Sequence, residues 1–238
     1  MNLRPLTISV LNNFKDINPK IVFNYGNGGY VSVASADRSI AGFFELSEEE
    51  KKIPEHGIYN LKMFLEVVKE LSPMKDFSLD YKEKFVLIKA ENTRVTYHYA
   101  PLNVITDSDK PPTKNKIENS TDLFSFIIKP EHLEKLRRVS STMTIKNLQI
   151  LVKSGGVRAD LKDLKDDTSN IFSLILGTIK SDDQPPTTWN MDHWLVMPDV
   201  PYKATIMDVG GQRFSRFEAI DKDGKSIGLM YYIAVLAV

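Results

Sequence analysis

The stretch YNLKMFL, residues 59–65, returns 130 positions further along the chain as WNMDHWL, residues 189–195. Both copies read aromatic, Asn, aliphatic, two variable positions, aromatic, Leu. Asn is a favoured N-cap, because its side-chain oxygen accepts a backbone N–H of the first helical turn. The two aromatic residues then occupy the N′ and N4 positions, which pack together in a hydrophobic staple. Each copy therefore predicts the start of a stapled helix, and the repetition indicates a duplicated domain.

The sequence around both copies has the same order of predicted elements. The first half reads as a helix over 6–16, a hairpin and further strand, the stapled helix over 61–71, and three strands. The second half reads as a helix that starts at Pro130, a hairpin, more strand, a short helix, and two hairpins. Connections this short cannot make parallel crossovers. The pattern therefore predicts an α+β fold of two similar domains, each with two helices packed on antiparallel sheet.

The least structured stretch is TDSDKPPTKNKIENSTD, residues 106–122. Its Pro pair and its Ser, Asn, Asp and Lys residues are typical of a linker. The 238 residues suit two domains of roughly 100–120 residues each. We expect an N-terminal domain at 1–107, a linker at 108–121 and a C-terminal domain at 122–238.

The composition excludes several classes of protein. Lys and Arg number 31 and Asp and Glu number 31, so the net charge is zero and any nucleic-acid surface must arise by sorting charge between faces. The absence of Cys excludes disulfides, thiolate catalysis and Cys-based zinc sites. The sequence shows no signal-peptide pattern and no run of about 20 apolar residues that could span a membrane. We expect a cytoplasmic protein without a membrane partner.

Enzyme motifs are missing from the sequence. It has neither the GxxxxGK[ST] phosphate loop nor the HExxH zinc motif, and the glycines of residues 26–29 suit a hairpin turn better than a nucleotide loop. The sequence therefore predicts a protein that is not an enzyme and that has no catalytic residues, metal site or cofactor. Abundant carboxylates leave one alternative open, a metal-dependent nuclease or phosphotransferase.

Basic residues lie off the apolar stripes of the predicted helices. They have two interpretations: solvated helix faces with i,i+4 ion pairs, or helix faces that follow a phosphate backbone without reading sequence. The second interpretation predicts DNA-facing roles for Lys15, Lys20, Lys62, Lys69, Lys135, Arg137 and Arg138.

Three segments resemble a known family. LNNFKDIN at residues 11–18, the Tyr59-x-Leu61-x-x-Phe64-Leu65 pattern and LRRVS at residues 136–140 are similar to helices of the DNA sliding clamps. The likeness is greatest to the clamp of T-even-type tailed phages. In that comparison Arg138 matches a basic residue expected to face DNA, whereas Ser141 stands where a second basic residue is expected.

The resemblance implies the DNA clamp fold and a function in viral DNA replication. Three two-domain copies would form a homotrimeric ring around duplex DNA, without sequence preference, with basic helix faces inside and acidic residues such as 48–50 outside. The ring would tether the replicative DNA polymerase as a processivity factor, and a clamp-loader ATPase would open it. The location would be the cytoplasm of the infected host cell if the chain is viral, and transcription factors are a further class of partner.

Clamps of this family dock short apolar partner peptides in a surface pocket near the interdomain connector. The alternative for every candidate is ordinary core or strand packing. A duplicated-domain virion or scaffold protein is a further alternative for the whole chain. The candidate pocket residues are Leu102, Val104, Ile105, Pro201, Tyr202 and Leu236.

Overall fold

The computed structural model describes residues 2–105, 120–166 and 168–236. The chain divides into two compact units, with residues 2–105 in the first and the described residues from 120 onward in the second. Of the linker predicted at 108–121, all but residues 120 and 121 lie outside the described part of the chain.

The first unit has two α-helices and seven strands among its described residues. In chain order they are α1 Pro5–Ile17, β1 Ile21–Phe23, β2 Tyr30–Ala34, β3 Ile40–Glu45, β4 His56–Ile58, α2 Leu61–Leu71, β5 Ser78–Tyr81, β6 Phe85–Ala90 and β7 Thr93–His98. All strand pairs are antiparallel, in the orders β4-β1-β2-β3 and β5-β6-β7. The two helices pack side by side and bury Leu11, Phe14, Phe64 and Leu65.

The second unit repeats this plan and adds a strand at its start. In chain order its elements are β8 Thr121–Ile128, α3 Pro130–Met143, β9 Asn147–Lys153, β10 Gly156–Leu161, β11 Phe172–Thr178, β12 Gln184–Asn190, α4 Asp192–Leu195, β13 Tyr202–Val209, β14 Gln212–Ile220 and β15 Ser226–Ala234. The antiparallel orders are β12-β9-β10-β11 and β8-β13-β14-β15. Thus β1–β4 correspond to β9–β12, and β5–β7 correspond to β13–β15. The predicted α+β class, with two helices and antiparallel sheet in each half, is confirmed.

The start of α1 is anchored by a buried carboxylate. Glu50 Oε1 accepts hydrogen bonds from the Arg4 N–H at 2.9 Å and the Thr7 hydroxyl at 2.7 Å, and Oε2 accepts from Arg4 Nε at 2.8 Å. A negative charge at a helix N-terminus is favoured by the aligned peptide dipoles. Burial raises the pKa of Glu50, but the hydrogen bonds from Arg4, Ser47 and Thr7 outweigh it, so the pKa is lowered overall. The expectation that residues 48–50 all point outward is therefore wrong for Glu50, which is 1% exposed.

The first copy of the seven-residue pattern starts a full helix but departs from the predicted staple. Asn60 Oδ1 accepts the Met63 N–H at 3.0 Å, as predicted for an N-cap, and α2 runs from Leu61 to Leu71. Tyr59, however, is 55% exposed and lies under the Lys20 ammonium, with Nζ 5.5 Å from the ring centre. The Phe64 ring packs edge-on against Tyr97 at 5.3 Å.

The second copy forms the staple but only one turn of helix. The Trp189 and Trp194 rings lie 5.7 Å apart, and both also contact Phe217. Asn190 ends β12 and its Oδ1 accepts the Asp192 N–H at 3.0 Å, but Met191 occupies the N-cap position of α4, so the predicted cap is displaced by one residue. Helix α4 has only four residues.

Some elements differ from the sequence-based expectation. Strand β12 is absent from the predicted elements. It contains Pro185 and Pro186, which the structure accommodates where the pairing with β9 shifts register between Gln184 and Thr187. The final strand is Ser226–Ala234, and residues 237 and 238 lie outside the described range.

Candidate nucleic-acid interface

A groove between α1 and α2 brings together three basic side chains of the first unit. It encloses about 290 Å³, and Lys15, Lys62 and Lys69 line it together with Asn12 and Ser72. Lys62 and Lys69 are seven residues apart, about two helical turns, so they lie on the same side of α2. The structure thus brings together three of the predicted DNA-facing lysines.

The sequence of α2 keeps these ammonium groups at the surface. Leu61, Phe64, Leu65, Val68 and Leu71 are buried at helical spacing, which turns the lysine positions outward. The continuous apolar stripe packs α2 against its own unit, so the polar side of the helix remains at the surface.

The three lysines differ in their local partners. Lys62 Nζ lies 4.0 Å from the Glu66 carboxylate, a distance at which an exposed pair contributes little stability. Lys15 Nζ donates to the Asn12 side-chain oxygen at 3.2 Å. Lys69 makes no ion pair with any residue in the described ranges. The groove therefore retains a positive surplus despite Glu66.

Helix α3 carries the predicted DNA-facing side chains of the second unit. Lys135 and Arg138 are exposed, with Lys135 Nζ lying 5.8 Å from the centre of the Phe172 ring. Leu133 and Leu136 point into the core, as the sequence predicted. These two cations can reach a ligand without changing the packing of the helix.

Arg137 is committed to an internal role, which corrects its predicted place on the DNA-facing surface. Its Nε and Nη2 donate to the Trp194 carbonyl at 3.0 and 2.6 Å, and Nη2 also donates to the Met197 carbonyl at 2.5 Å. Nη1 pairs with the Asp199 carboxylate. The last carbonyls of a helix have no hydrogen-bond donor within the helix. The Arg137 guanidinium donates to one such carbonyl, that of Trp194 in α4, and to the Met197 carbonyl just after the helix. Only the positions of α4 and the following loop reveal this role, so the sequence carried no signal for it.

The candidate pocket residues fall into two groups. Ile105 is 1% exposed and closely packed on Gly57, while Tyr202 lies in the core and donates its hydroxyl to the Pro198 carbonyl at 3.1 Å. These two side chains pack the core, which corrects their predicted role in a partner site. Leu102 and Val104 are exposed apolar side chains, and Pro201 is half-buried.

Leu236 lines a cleft of about 410 Å³ in the second unit. Ile145, Lys146, Asn147 and Asn190 line the same cleft, but Pro201 and Tyr202 do not. The structure therefore does not gather the predicted pocket residues of the second unit at one place.

His56 is a buried titratable group in the core of the first unit. Its ring stacks on Tyr99 at 4.0 Å and on Phe23 at 5.3 Å, and burial lowers its pKa to about 4. Nδ1 lies 2.7 Å from the Pro54 carbonyl, so the neutral ring donates its proton there. His56 is thus a packed core residue. Across the described ranges, no group of three or more His, Asp or Glu side chains is arranged to hold a metal ion.

Comparisons with known proteins identify the fold. No family model matches the sequence, and no curated protein matches it. Among solved structures, the chain is similar to the A. fulgidus PCNA bound to the C-terminal region of FEN-1, with 12% identity, a TM-score of 0.65 and coverage of 98% of this chain and 96% of that one. It is also similar to the proliferating cellular nuclear antigen of Entamoeba histolytica, with 15% identity, a TM-score of 0.66 and coverage of 98% and 95%.

A bacterial protein shows the same likeness over part of its length. The DNA polymerase III subunit beta of Pseudomonas aeruginosa matches with 15% identity and a TM-score of 0.62, covering 98% of this chain and 63% of that one. Identities this low show the fold, which is that of the DNA sliding clamps. None of the helices in the described residues has the length and apolar character to cross a membrane.

Proposed function

We propose that this chain is a DNA sliding clamp: three copies form a closed ring that encircles duplex DNA and tethers a replicative polymerase. The proposal includes the predicted domain boundaries, a non-enzymatic role, viral DNA replication in the cytoplasm of an infected host cell, and a clamp loader that opens the ring. The clamp fold over nearly the whole chain supports it and favours it over the nuclease and scaffold alternatives. Tethering would raise the effective concentration of the polymerase at the primer end.

One observation carries the ring proposal: corresponding strands of the two units differ in exposure. Strand β3 is almost entirely buried, including Phe44, whereas its counterpart β11 is largely exposed. Ile175, in the middle of β11, is 75% exposed. An exposed apolar strand at the edge of a sheet invites pairing with another chain, so a native protein needs to cover it.

The last strands of the two repeats differ in exposure in the opposite direction, with the strand of the second unit more buried than that of the first. Strand β15 buries Leu229, Tyr231 and Ile233, whereas its counterpart β7 buries only Tyr97. Strand β7 ends the order β5-β6-β7, and β11 ends the order β12-β9-β10-β11. Each unit thus has a largely exposed strand at one end of a strand order.

The exposed edges explain how a ring can close. If β11 of one copy pairs with β7 of the next, the contact is head to tail, and a rotation that closes yields a ring in which both of these edges are paired. A cleft of about 300 Å³ beside β11, lined by Phe126, Ile127 and Leu176, adds apolar surface to the contact. Three copies would give six domains.

The proposed DNA contacts are non-specific. Lys15, Lys20, Lys62 and Lys69 of the first unit, with Lys135 and Arg138 of the second, would face phosphates. Such contacts read no sequence and weaken with salt, which allows a ring to slide.

For partner peptides, the exposed side chains of Leu102, Val104 and Leu236 are the remaining candidates. A neighbour of the same fold, the A. fulgidus PCNA, is bound by the C-terminal region of FEN-1. By analogy, we propose that short segments of the polymerase and of the clamp loader dock on this chain.

The test is the native mass by light scattering during size exclusion, at several protein concentrations. We expect three times 27.0 kDa, about 81 kDa, dissociating on dilution. Ile175→Lys should shift the population to monomers, because it places a charge in the proposed contact. Leu195→Lys is the matched control, since Leu195 is 53% exposed but lies on α4.

Each outcome separates the alternatives. A monomer of 27.0 kDa at every concentration would rule out the ring. Turnover of a nucleic acid with Mg²⁺ or Mn²⁺ would instead support the nuclease alternative. Assembly without any stimulation of a polymerase would support the scaffold alternative.

A further inference from the structure

We propose that the first repeat provides the main phosphate contact of each subunit, in the groove between α1 and α2, and that the corresponding place in the second repeat is closed to phosphate. This inference rests on the proposed clamp function and goes beyond it, because it makes the DNA contact unequal between the two domains. A ring would then hold the duplex at three places rather than six.

Positions 130 residues apart in the two repeats carry opposite charges, one pair on the second helix and one pair whose second member lies in the loop after α4. The 130-residue spacing of the seven-residue pattern places Asp192 opposite Lys62 and Asp199 opposite Lys69. Both lysines line the groove of the first unit. The second repeat therefore has carboxylates where the first has ammonium groups. Asp192 pairs with Lys146 and Asp199 pairs with Arg137, so neither position offers a positive charge to a phosphate.

The first helix of each repeat shows a related difference. The buried positions have the same spacing, residues 7, 10 and 14 in α1 and residues 133, 136 and 140 in α3. This alignment places Ser141 at the position of Lys15 and Arg137 at the position of Leu11. The third groove lysine thus has an uncharged counterpart.

Arg137 then occupies the space between the helices of the second repeat. Its guanidinium bonds to the Trp194 and Met197 carbonyls and pairs with Asp199. The charge is neutralised inside the domain, and its donors are already used. No matching contact crosses the groove of the first repeat, where the described side chains leave about 290 Å³ open.

The groove offers the chemistry that a phosphodiester needs. The ammonium groups of Lys15, Lys62 and Lys69 are donors, and the Ser72 hydroxyl lies beside them. Glu66 reduces the charge but is balanced by Lys62, with the two groups 4.0 Å apart. On α3 the exposed Lys135 and Arg138 share the helix with the exposed Glu131 and Glu134, which reduce the positive charge of that surface.

The experiment compares two double variants that each remove two positive charges. The groove variant is Lys15→Gln with Lys69→Gln, and the second-repeat variant is Lys135→Gln with Arg138→Gln. Binding to a short, blunt-ended fluorescent duplex is measured by anisotropy over a range of salt concentrations, with the assembly state of each variant checked by light scattering.

We expect the groove variant to flatten the plot of log K against log salt by at least about 0.9, the value of one phosphate contact. The second-repeat variant should flatten it by less than half as much. An equal or larger effect of the second-repeat variant, or an unchanged slope for the groove variant, overturns the inference and leaves the clamp function standing. Absence of salt-dependent binding by the unmodified chain overturns both.

Discussion

The two repeats use the same seven-residue pattern in different ways. In the first, Asn60 caps a helix of eleven residues, and the aromatic residue before the cap stays at the surface. In the second, the helix stops after four residues, and both aromatic residues are buried. One sequence pattern therefore marks a helix start in both places, while the surrounding residues decide how long the helix becomes and what holds it.

The second helices of the two repeats are also held in place in different ways. The short α4 depends on a cluster of Trp189, Trp194 and Phe217, and on Arg137 bonding to its last carbonyls. The longer α2 needs no such support, because its own apolar stripe packs it. Its polar face is left available for a ligand, and that is where the lysines lie.

The largest expected effect on stability comes from the aromatic residue that opens the second copy of the seven-residue pattern. Trp189→Ala should lower the free energy of unfolding by about 3–5 kcal/mol, because a fully buried ring is replaced by a cavity. Its Nε1, which donates to Ser215 Oγ at 2.8 Å, is lost as well. Tyr59→Ala, at the matching position, should cost less than about 1 kcal/mol. Urea denaturation followed by far-UV circular dichroism measures both, and equal costs would contradict the comparison.

A second prediction concerns the loss of stability at low pH. Burial holds the pKa of His56 at about 4, below its ordinary value of 6.5, so the unfolded chain takes up the proton first as the pH falls. The lowered pKa therefore contributes to the free energy of unfolding fully above about pH 6.5. That contribution, about 3 kcal/mol, is lost as the pH falls from there to about pH 4. The lowered pKa of Glu50 acts in the same direction at lower pH.

This acid sensitivity should belong to the first unit. The 130-residue spacing places Pro186 opposite His56, and both tryptophans lie in the second unit. We expect acid to shift the denaturation curve measured by circular dichroism more than the curve measured by Trp fluorescence. His56→Phe, which keeps an aromatic ring in the stack, should remove most of the difference. Persistence of the full pH dependence in this variant would mean that His56 is not its source.

Arg137→Leu tests the internal role of the guanidinium. It gives the second repeat the residue that the first has at Leu11, but leaves the Trp194 and Met197 carbonyls without their donor. We expect a loss of about 1.5–3 kcal/mol, typical of hydrogen bonds to a charged group. The control is Arg138→Leu, an exposed neighbour, with an effect within about 0.5 kcal/mol. Trp fluorescence in urea follows both, and similar midpoints would refute the assignment.

The smallest expected effect on stability is that of Asp192→Lys, which makes the second repeat more like the first. Asp192 is exposed, and its pair with Lys146 at 3.2 Å is a surface contact. We expect a stability change within about 0.5 kcal/mol and a steeper salt dependence of DNA binding. Asp182→Lys makes the same charge change on an exposed loop. If it steepens the salt dependence equally, the effect is one of net charge and not of position.

Much of the local structure could be predicted from the sequence. The cap at Asn60 and the apolar spacing from Leu61 to Leu71 set the bounds of α2 correctly, because capping and helical periodicity depend on residues within a few turns. The hairpins of the second unit follow from their Gly turns for the same reason. The duplicated pattern was enough to indicate two similar domains.

The predictions that failed depend on residues far apart in the sequence. Glu50 is buried because it meets Arg4 and Thr7, more than 40 positions away, as the hydrogen bonds show. Arg137 is internal because the carbonyls of α4 lie beside it, although its spacing on α3 suits a surface position. Tertiary contacts override local pattern in both cases.

By itself, the sequence determined the α+β class, the repetition of the domain, the cap at Asn60 and the positions of the basic residues along the helices. Only the tertiary structure decided which of those cations remain outside, which strand edges are exposed, and which candidate pocket residues belong to the core. The physical reason is that periodicity and capping act over one helical turn or one hairpin. Burial and charge pairing instead depend on which distant segments the fold brings together.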